Sequence, residues 1–441
     1  MTDLRYSQQA PVRAEIQPLF RLAVPLMVGL AAALLIGVVD TAMISPLGTV
    51  PLAAAGVTTA VLIIMISALW GVVTVISVQI SQAEGAGDPK RVAQVLRGGM
   101  ILCLLGGGVA AILMLALYPL LGPLGQPREV LAILLPYWVS MAIWILPFTL
   151  FFGLKSLFDA VGRPWTAVVL SYLGVLFNIP ANYTFIHVLE LGILGAGLAS
   201  ILSQCVSLFA AFIVLAKSPG LAAFRQQVTV RWPDVKKQCK EALPLCLGYA
   251  GEGGAYAVVG IMMGWLGAEA LAAHQIVNAI GGLAYMIPLG MAGAASIRVG
   301  LAVGAGHEHR LRPILKASFL IVTLWQLLAA AFFIAFGRVL AETMSDDLAV
   351  IDLAVVLFII VALLQVADGI QGTALGALRG MSDMNLPTVI TLAAYWPLAL
   401  PASYLLGFYW DYGAAGVWVG YMIGLVVAAI ALPCRFWQLT R

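Results

Sequence analysis

The sequence predicts an all-α integral membrane protein, with twelve transmembrane helices in two pseudo-symmetric six-helix bundles around a central cleft. Three observations carry this reading: the composition, a series of twelve apolar runs, and an internal duplication. Of 441 residues, 62% are apolar and 10% charged, and the mean hydropathy is +1.02. Soluble domains hold roughly 45–50% apolar and about 25% charged residues. A chain so poor in polar groups cannot cover a globule of its mass in water, and most soluble enzyme classes are excluded at once.

The apolar runs are each about 20 residues long, enough to cross a bilayer as a helix. They fall at 20–45, 52–78, 96–120, 131–153, 165–187 and 193–216, then at 241–266, 270–296, 313–337, 350–376, 386–407 and 414–436. The first run is too long for a signal peptide and has no small-residue cleavage site behind it, so the N-terminus is expected to be retained. An even number of spans puts both termini on one side, and the basic residues say which. The tail carries Arg5, Arg13 and Arg21, and the long central loop carries Lys217, Arg225, Arg231, Lys236, Lys237 and Lys240. With Lys90, Arg91, Arg97, Lys155, Arg163, Arg298, Arg310, Arg312, Lys316, Arg379, Arg435 and Arg441, that side holds 21 of the 23 basic residues. Only Arg128 and Arg338 face the other way. Both termini are therefore expected in the cytoplasm, in a multi-pass membrane protein. A net charge of +3 offers nothing to a nucleic acid. The five cysteines, Cys103, Cys205, Cys239, Cys246 and Cys434, have no C-x-x-C spacing and read as free thiols.

Shifting the sequence by 219 residues lays the opening spans of the two halves on each other. Ala-Val-Pro25-Leu-Met-Val-Gly29 falls on Ala-Leu-Pro244-Leu-Cys-Leu-Gly248, Leu47-Gly48 on Leu266-Gly267, and Gly85-Ala-Gly87 on Gly304-Ala-Gly306. Later the offset becomes 221, matching Pro180-Ala-Asn-Tyr183 with Pro401-Ala-Ser-Tyr404 and Gly192 and Gly195 with Gly413 and Gly416. Six spans per half make this a parallel repeat about an axis along the membrane normal. The division is an N-terminal lobe at 1–216, a cytoplasmic inter-lobe loop at 217–240 and a C-terminal lobe at 241–441. Two equivalent lobes suit alternating access by rocking. Pro25 and Pro244 each remove a helical hydrogen bond and mark a bend in the opening span of each half.

Three carboxylates remain inside spans: Asp40, Glu252 and Asp368. Each costs at least about 2.5–3.5 kcal/mol at the bilayer centre, and no Lys or Arg is expected deep in any span to neutralise them. Such groups take up a proton or another cation readily, the chemistry of a cation-coupled transporter. The plain alternative is interhelical hydrogen-bond glue. Asn178 and Asn182 lie four residues apart on one face of the fifth span, flanking Pro180, and join Asp40 in a candidate first-lobe pocket. In the eighth span Gln275 and Asn278 share a face, with Tyr285 two turns further on; these are candidates to join Glu252 and Asp368. Asp40 and Glu252 are not repeat equivalents, since their partners are Val259 and Ala33.

These residues carry a family resemblance. Gly37-Val-Val-Asp40-Thr-Ala-Met43, Gly251-Glu252-Gly253, Ala272-Ala-His-Gln-Ile-Val-Asn278, and Asp368 followed by Leu378-Arg-Gly380 together resemble the multidrug and toxic compound extrusion (MATE) family, in its NorM-like branch, over essentially the whole chain. The resemblance implies antiport, with lipophilic cationic drugs and dyes leaving the cell while Na+ or H+ enters, and hence antibiotic resistance. It assigns Glu252, Asp368 and Tyr285 to a coupling-cation site, with Na+ a candidate at the two acids, and Asp40, Asn178 and Asn182 to the polar pocket of the first lobe. It associates Gln275 and the acidic pair Asp346-Asp347 with cationic substrate, and Asn278 is placed with them. Without the family, Asp346-Asp347 reads as a solvated turn. Some members carry a tyrosine one turn before the last acid, where this chain has Leu364. No cofactor beyond the coupling ion is expected, and the protein is expected to be a monomer.

Other readings fare worse. No G-x-x-x-x-G-K-[ST] run supplies a nucleotide site for a primary pump. His187, His274, His307 and His309 form no cluster with spaced acids that an intramembrane enzyme would need. The Gly106-Gly107-Gly108 run suits close helix packing better than phosphate binding. The runner-up is a flippase of lipid-linked sugars, which would need a basic central cavity for pyrophosphate.

Overall fold

The computed structural model describes residues 11–123, 125–226 and 228–441. Arg5, counted above in the basic tail, lies outside the described residues. Among the described residues, twelve helices are long and apolar enough to cross a membrane. They are α1 (Val12–Leu47), α2 (Thr49–Gly85), α3 (Pro89–Leu120), α4 (Arg128–Ala160), α5 (Pro164–Val188), α6 (Gly192–Lys217), α7 (Trp232–Trp265), α8 (Ala268–Gly304), α9 (Glu308–Glu342), α10 (Leu348–Gly380), α11 (Asn385–Tyr409) and α12 (Gly413–Leu439). No strand occurs among the described residues. The chain is a multi-pass membrane protein.

The helices outrun the apolar windows because a helix does not end where its side chains become polar. The seventh starts at Trp232 and not at 241, since Pro233 suits a first helical turn and the charged stretch behind it remains helical. The fourth continues past 153 to Ala160 and takes Lys155 and Asp159 with it.

The duplication extends to backbone angles. Gly48 and Gly267 sit at φ 109° and 116° in the turns before α2 and α8, with ψ 178° and 175°, a region open only to glycine. Glu190 and Asp411, 221 residues apart, share φ values of 53° and 58°. Just before each of them the helix widens into a π-turn, at Thr184–Val188 in α5 and Leu405–Tyr409 in α11. Each closes on an N–H to C=O bond of 2.9 Å, Leu189 to Thr184 and Trp410 to Leu405. In α11 a second π-turn, Ala394–Ala399, contains Pro397, whose missing N–H breaks the ordinary ladder.

The chain divides into two compact units, one at Val28–Ala250 and one of Gly251–Arg441 together with the described residues up to Met27. The boundaries cut α1 and α7, so each unit contains the opening turns of the helix that begins the other half. In the second unit Leu19, Leu22 and Ala23 join a core with Met291, Leu378 and Phe436. Glu15, wholly buried, receives Arg298 at 2.6 Å and Arg310 at 2.9 and 2.6 Å. In the first unit the start of α7 is held by Gln238, which donates to Gln79 at 2.9 Å and to the Val95 carbonyl at 3.1 Å. Gln79 in turn donates to Glu241 at 2.6 Å. The backbones of α2 and α7 approach so closely that a Cβ on Gly71 would lie 2.3 Å from the Cys246 nitrogen.

Candidate functional site

Within the first unit, α1, α5 and α6 bring polar side chains to Asp40. Asn178 and Asn182 donate to its Oδ1 at 3.1 and 2.7 Å, and the Ser200 hydroxyl donates to its Oδ2 at 2.6 Å. Asn182 also donates to Asn178 Oδ1 at 3.0 Å. The i, i+4 spacing of the two asparagines on α5 puts both amides beside one carboxylate, as the sequence indicated. All four side chains are buried, and Tyr137 of α4 lies within electrostatic range of Asp40. Hydrogen bonds to a charged group are worth about 1.5–3 kcal/mol each, so three of them outweigh the roughly 2.5–3.5 kcal/mol cost of a carboxylate in a span. Beside them the Asn182 Oδ1 has no hydrogen-bond partner. That leaves a second oxygen to receive a proton carried by Asp40 or to coordinate a cation.

The second unit builds a different cluster. Glu252 on α7 and Asp368 on α10 are half-buried and act on each other electrostatically. The Tyr395 hydroxyl of α11 donates to Glu252 Oε1 at 3.4 Å. Tyr395 stacks on Tyr421 of α12, with centroids 5.7 Å apart and planes at 8°, and Tyr285 of α8 lies within electrostatic range of Tyr395. The π-turn in α11 turns successive residues toward α7, because Trp396 donates to the Gly251 carbonyl at 3.1 Å while Tyr395 reaches Glu252. Gly251 permits this approach, since a Cβ there would lie 2.2 Å from Leu392 Cδ2. Among the described residues no group of three or more His, Cys, Asp or Glu side chains lies close enough to hold a metal ion. A sodium ion at Glu252 and Asp368 would therefore draw its other oxygens from tyrosines and backbone carbonyls.

The structure thus groups Asp40 with Asn178 and Asn182, and Glu252 with Asp368 and Tyr285. The four residues associated with substrate stand apart. Gln275 is exposed. Asn278 is held by the Tyr256 hydroxyl and by His274. Asp346 and Asp347 are exposed, and Asp347 caps α10 by accepting from the Ala349 N–H at 2.9 Å. The cap lies about 30 Å from Asp368 along α10 at 1.5 Å per residue.

One expectation is corrected. Basic side chains do lie buried within the helices, at Lys155 and Arg379. Hydropathy windows end before them, so they read as loop residues. Each is tied to an acid: Lys155 donates to Asp159 at 2.6 Å, and Arg379 acts electrostatically on Glu252. Sequence reasoning also missed Ser200, Tyr137, Tyr395 and Tyr421. Small and aromatic residues are ordinary in apolar spans, and only the closely spaced Pro397 and Pro401 marked α11 as irregular.

Comparison with known proteins agrees with this architecture. The profile of the MatE family matches residues 25–184 and 244–405. A probable multidrug resistance protein NorM of Bradyrhizobium diazoefficiens is 31% identical, over 97% of this chain and 94% of that protein. Its namesake in a Synechococcus strain is 30% identical, over 98% of this chain and 95% of its own. A crystal structure of the Vibrio cholerae MATE transporter VcmN, in the bent form, superposes with a TM-score of 0.88 at 23% identity, covering 98% of each chain.

Proposed function

Because this chain belongs to the multidrug and toxic compound extrusion family, in its NorM-like branch, we propose that it expels lipophilic organic cations in exchange for inward Na+ or H+. As a member of that family it is a membrane transporter and not an enzyme. The observation that carries the antiport reading is the pair of carboxylate clusters set among membrane-spanning helices, Asp40 in one unit and Glu252 with Asp368 in the other. Each can take a cation without unfolding its helix. Transport follows if ion and drug favour different conformations or exclude each other from the site. Basic residues concentrated on one side orient both termini toward the cytoplasm of a bacterial cell, whose inner membrane then holds the protein as a monomer. Gln275, Asn278, Asp346 and Asp347 are proposed to meet the drug on its way, and Tyr285 to complete the cation site of the second unit.

The flippase reading is weaker, because among the described residues the buried basic side chains Lys155 and Arg379 each lie beside an acid, Asp159 and Glu252. The deciding experiment is ethidium efflux from dye-loaded proteoliposomes under a pH gradient alone and a Na+ gradient alone. Asp40→Asn, Glu252→Gln and Asp368→Asn are run beside the wild type. Efflux driven by one gradient and lost in one or more variants names the ion and its site. A well-folded preparation indifferent to both gradients would overturn the antiporter.

A further inference from the structure

Where α9 begins and α12 ends, in the second unit, two acids account for the arginines on neighbouring turns. Glu15 takes Arg298 and Arg310, and Asp383 takes Arg435 at 3.0 Å. Two cations are left over. Among the described residues Arg312 and Lys316 of α9 form no ion pair with an acid. Both are held over the Trp437 ring of α12, the Arg312 guanidinium carbon 5.4 Å and the Lys316 Nζ 5.6 Å from its centroid. Cation–π attraction offsets part of the repulsion between like charges brought to one ring. Arg312 is also pinned at its Nε. The Thr440 hydroxyl gives its proton to the Phe436 carbonyl at 2.9 Å, and its oxygen accepts from Arg312 Nε at 3.2 Å. The two Nη groups of the fork and the Lys316 ammonium find no protein acceptor among the described residues.

The same two helix faces continue as apolar rows. From Arg312 and Lys316, α9 runs in steps of four to Leu320, Leu324 and Leu328, all exposed. The Trp437 face of α12 runs through Cys434, Ile430, Val427 and Ile423 in steps of three and four, likewise exposed. Between them α10 packs against both helices. Lys316 to Leu328 spans about 18 Å at 1.5 Å per residue, close to one leaflet of a hydrocarbon core about 30 Å thick.

We propose that this place binds one anionic phospholipid, with its phosphate on Arg312 and Lys316 and its acyl chains along the rows of α9 and α12. The Nη edge of the guanidinium presents two parallel donors to phosphate oxygens, and the ammonium adds a point charge. Trp437 and Thr440 hold the cations in place beforehand, so less side-chain freedom is lost on binding. A zwitterionic headgroup would bring its own cation to a place that already carries two, and so an anionic one is preferred. The inference concerns the second unit alone and stands apart from the antiport reading.

The test titrates the purified full chain in detergent with phosphatidylglycerol or phosphatidylcholine and counts bound lipid by native mass spectrometry. Phosphatidylglycerol should bind about 5- to 25-fold more tightly, the worth of one or two cations beside an anionic headgroup. Arg312→Gln and Lys316→Gln should each weaken it about fivefold, and the double variant should no longer distinguish the two lipids. Trp437→Leu keeps both charges but releases them, and should weaken binding as well. Lys90→Gln, which removes an exposed charge from the first unit, should leave binding unchanged. Lys316 is exposed and Arg312 half-buried, so the single variants should fold and carry the test even if the double does not. Equal affinity for the two lipids, or undiminished phosphatidylglycerol binding in both single variants, overturns the proposal. Phosphatidylglycerol should also raise the melting temperature of the wild type, and inorganic phosphate should not. A rise with phosphate alone would make this a site for a free anion and overturn the lipid.

Discussion

The Asp40 cluster separates two substitutions that both abolish its charge. Asp40→Asn keeps an Oδ1 that can accept from Asn178 and Asn182, and the Ser200 hydroxyl can turn to accept from the new amide, so all three contacts survive. Three charge-assisted bonds become ordinary ones, each losing roughly 1 kcal/mol, while the roughly 2.5–3.5 kcal/mol cost of a carboxylate in a span disappears. The two changes nearly cancel, and stability should stay within about 1 kcal/mol of wild type. Asp40→Leu removes the acceptor from three buried donors. Ser200 can fall back on a carbonyl one turn earlier in its own helix, but the two amides cannot. At about 1–3 kcal/mol per stranded donor, the variant should lose roughly 2–6 kcal/mol. The assay is thermal unfolding in detergent, followed with a thiol-reactive dye that reports the buried Cys103, with ethidium efflux beside it. Asp40→Asn should melt near the wild type and lose gradient-driven efflux, and Asp40→Leu should melt far below both. Equal melting of the two variants would refute the energetic argument, and full efflux in Asp40→Asn would remove this cluster from coupling.

Further outcomes follow from other contacts. Lys155→Met strands Asp159 in a site where both partners are buried, and should cost about 3–5 kcal/mol; adding Asp159→Leu should recover most of the loss in the same melting assay. Glu15→Ala leaves Arg298 and Arg310 facing each other without their shared anion, and should lower the melting temperature by more than the loss of an exposed pair such as Arg338–Glu342, worth about 0–1 kcal/mol. Tyr395→Phe removes the hydroxyl that reaches Glu252 at 3.4 Å, and should weaken activation by the coupling ion about two- to tenfold, as expected for about 0.5–1.5 kcal/mol. Gly71→Val should unfold the protein or block its insertion, whereas Gly108→Ala, with open space at its Cβ position, should be silent by immunoblot of membranes and by efflux.

The sequence exposes whatever depends on hydropathy and on repeated spacing. Twelve spans, the duplication, and the shared face of Asn178 and Asn182 all follow from a period of 3.6 or an offset of 219 to 221. Helix ends are different. Trp232 opens α7 inside a charged stretch, and Lys155 and Asp159 ride on α4 beyond its apolar part, because a long helix continues past the bilayer while hydropathy does not. Contacts from distant segments are likewise hidden. Nothing in Glu15 itself announces Arg298 and Arg310, nearly 300 residues away. Tyr395 reaches Glu252 only because a π-turn changes the register of α11, and no one-dimensional pattern contains that rotation.

The repeat frame explains why the two clusters should be separable. Shifting Asn178, Asn182 and Ser200 by 221 residues gives Ala399, Ser403 and Tyr421, and shifting Asp40 by 219 gives Val259. The places that form the first cluster are thus apolar or hydroxyl-bearing in the second unit, and none holds an acid. There the acids come from α7 and α10 instead, and Tyr421, standing where Ser200 stands, stacks on Tyr395 beside Glu252. Two copies of one scaffold have placed charge on different helices, so neither site can be a redundant copy of the other. Among the described residues Asp40 and Asp368 share no hydrogen-bond partner, and substitutions without shared partners add within about 0.3–0.5 kcal/mol. Their effects on thermal stability should therefore add in the double variant. If both bind the coupling ion, each single variant should remove its own share of ion-induced stabilisation and leave the rest. A strongly non-additive double variant would mean that the two clusters communicate, and a single bistable element linking them would replace two independent sites.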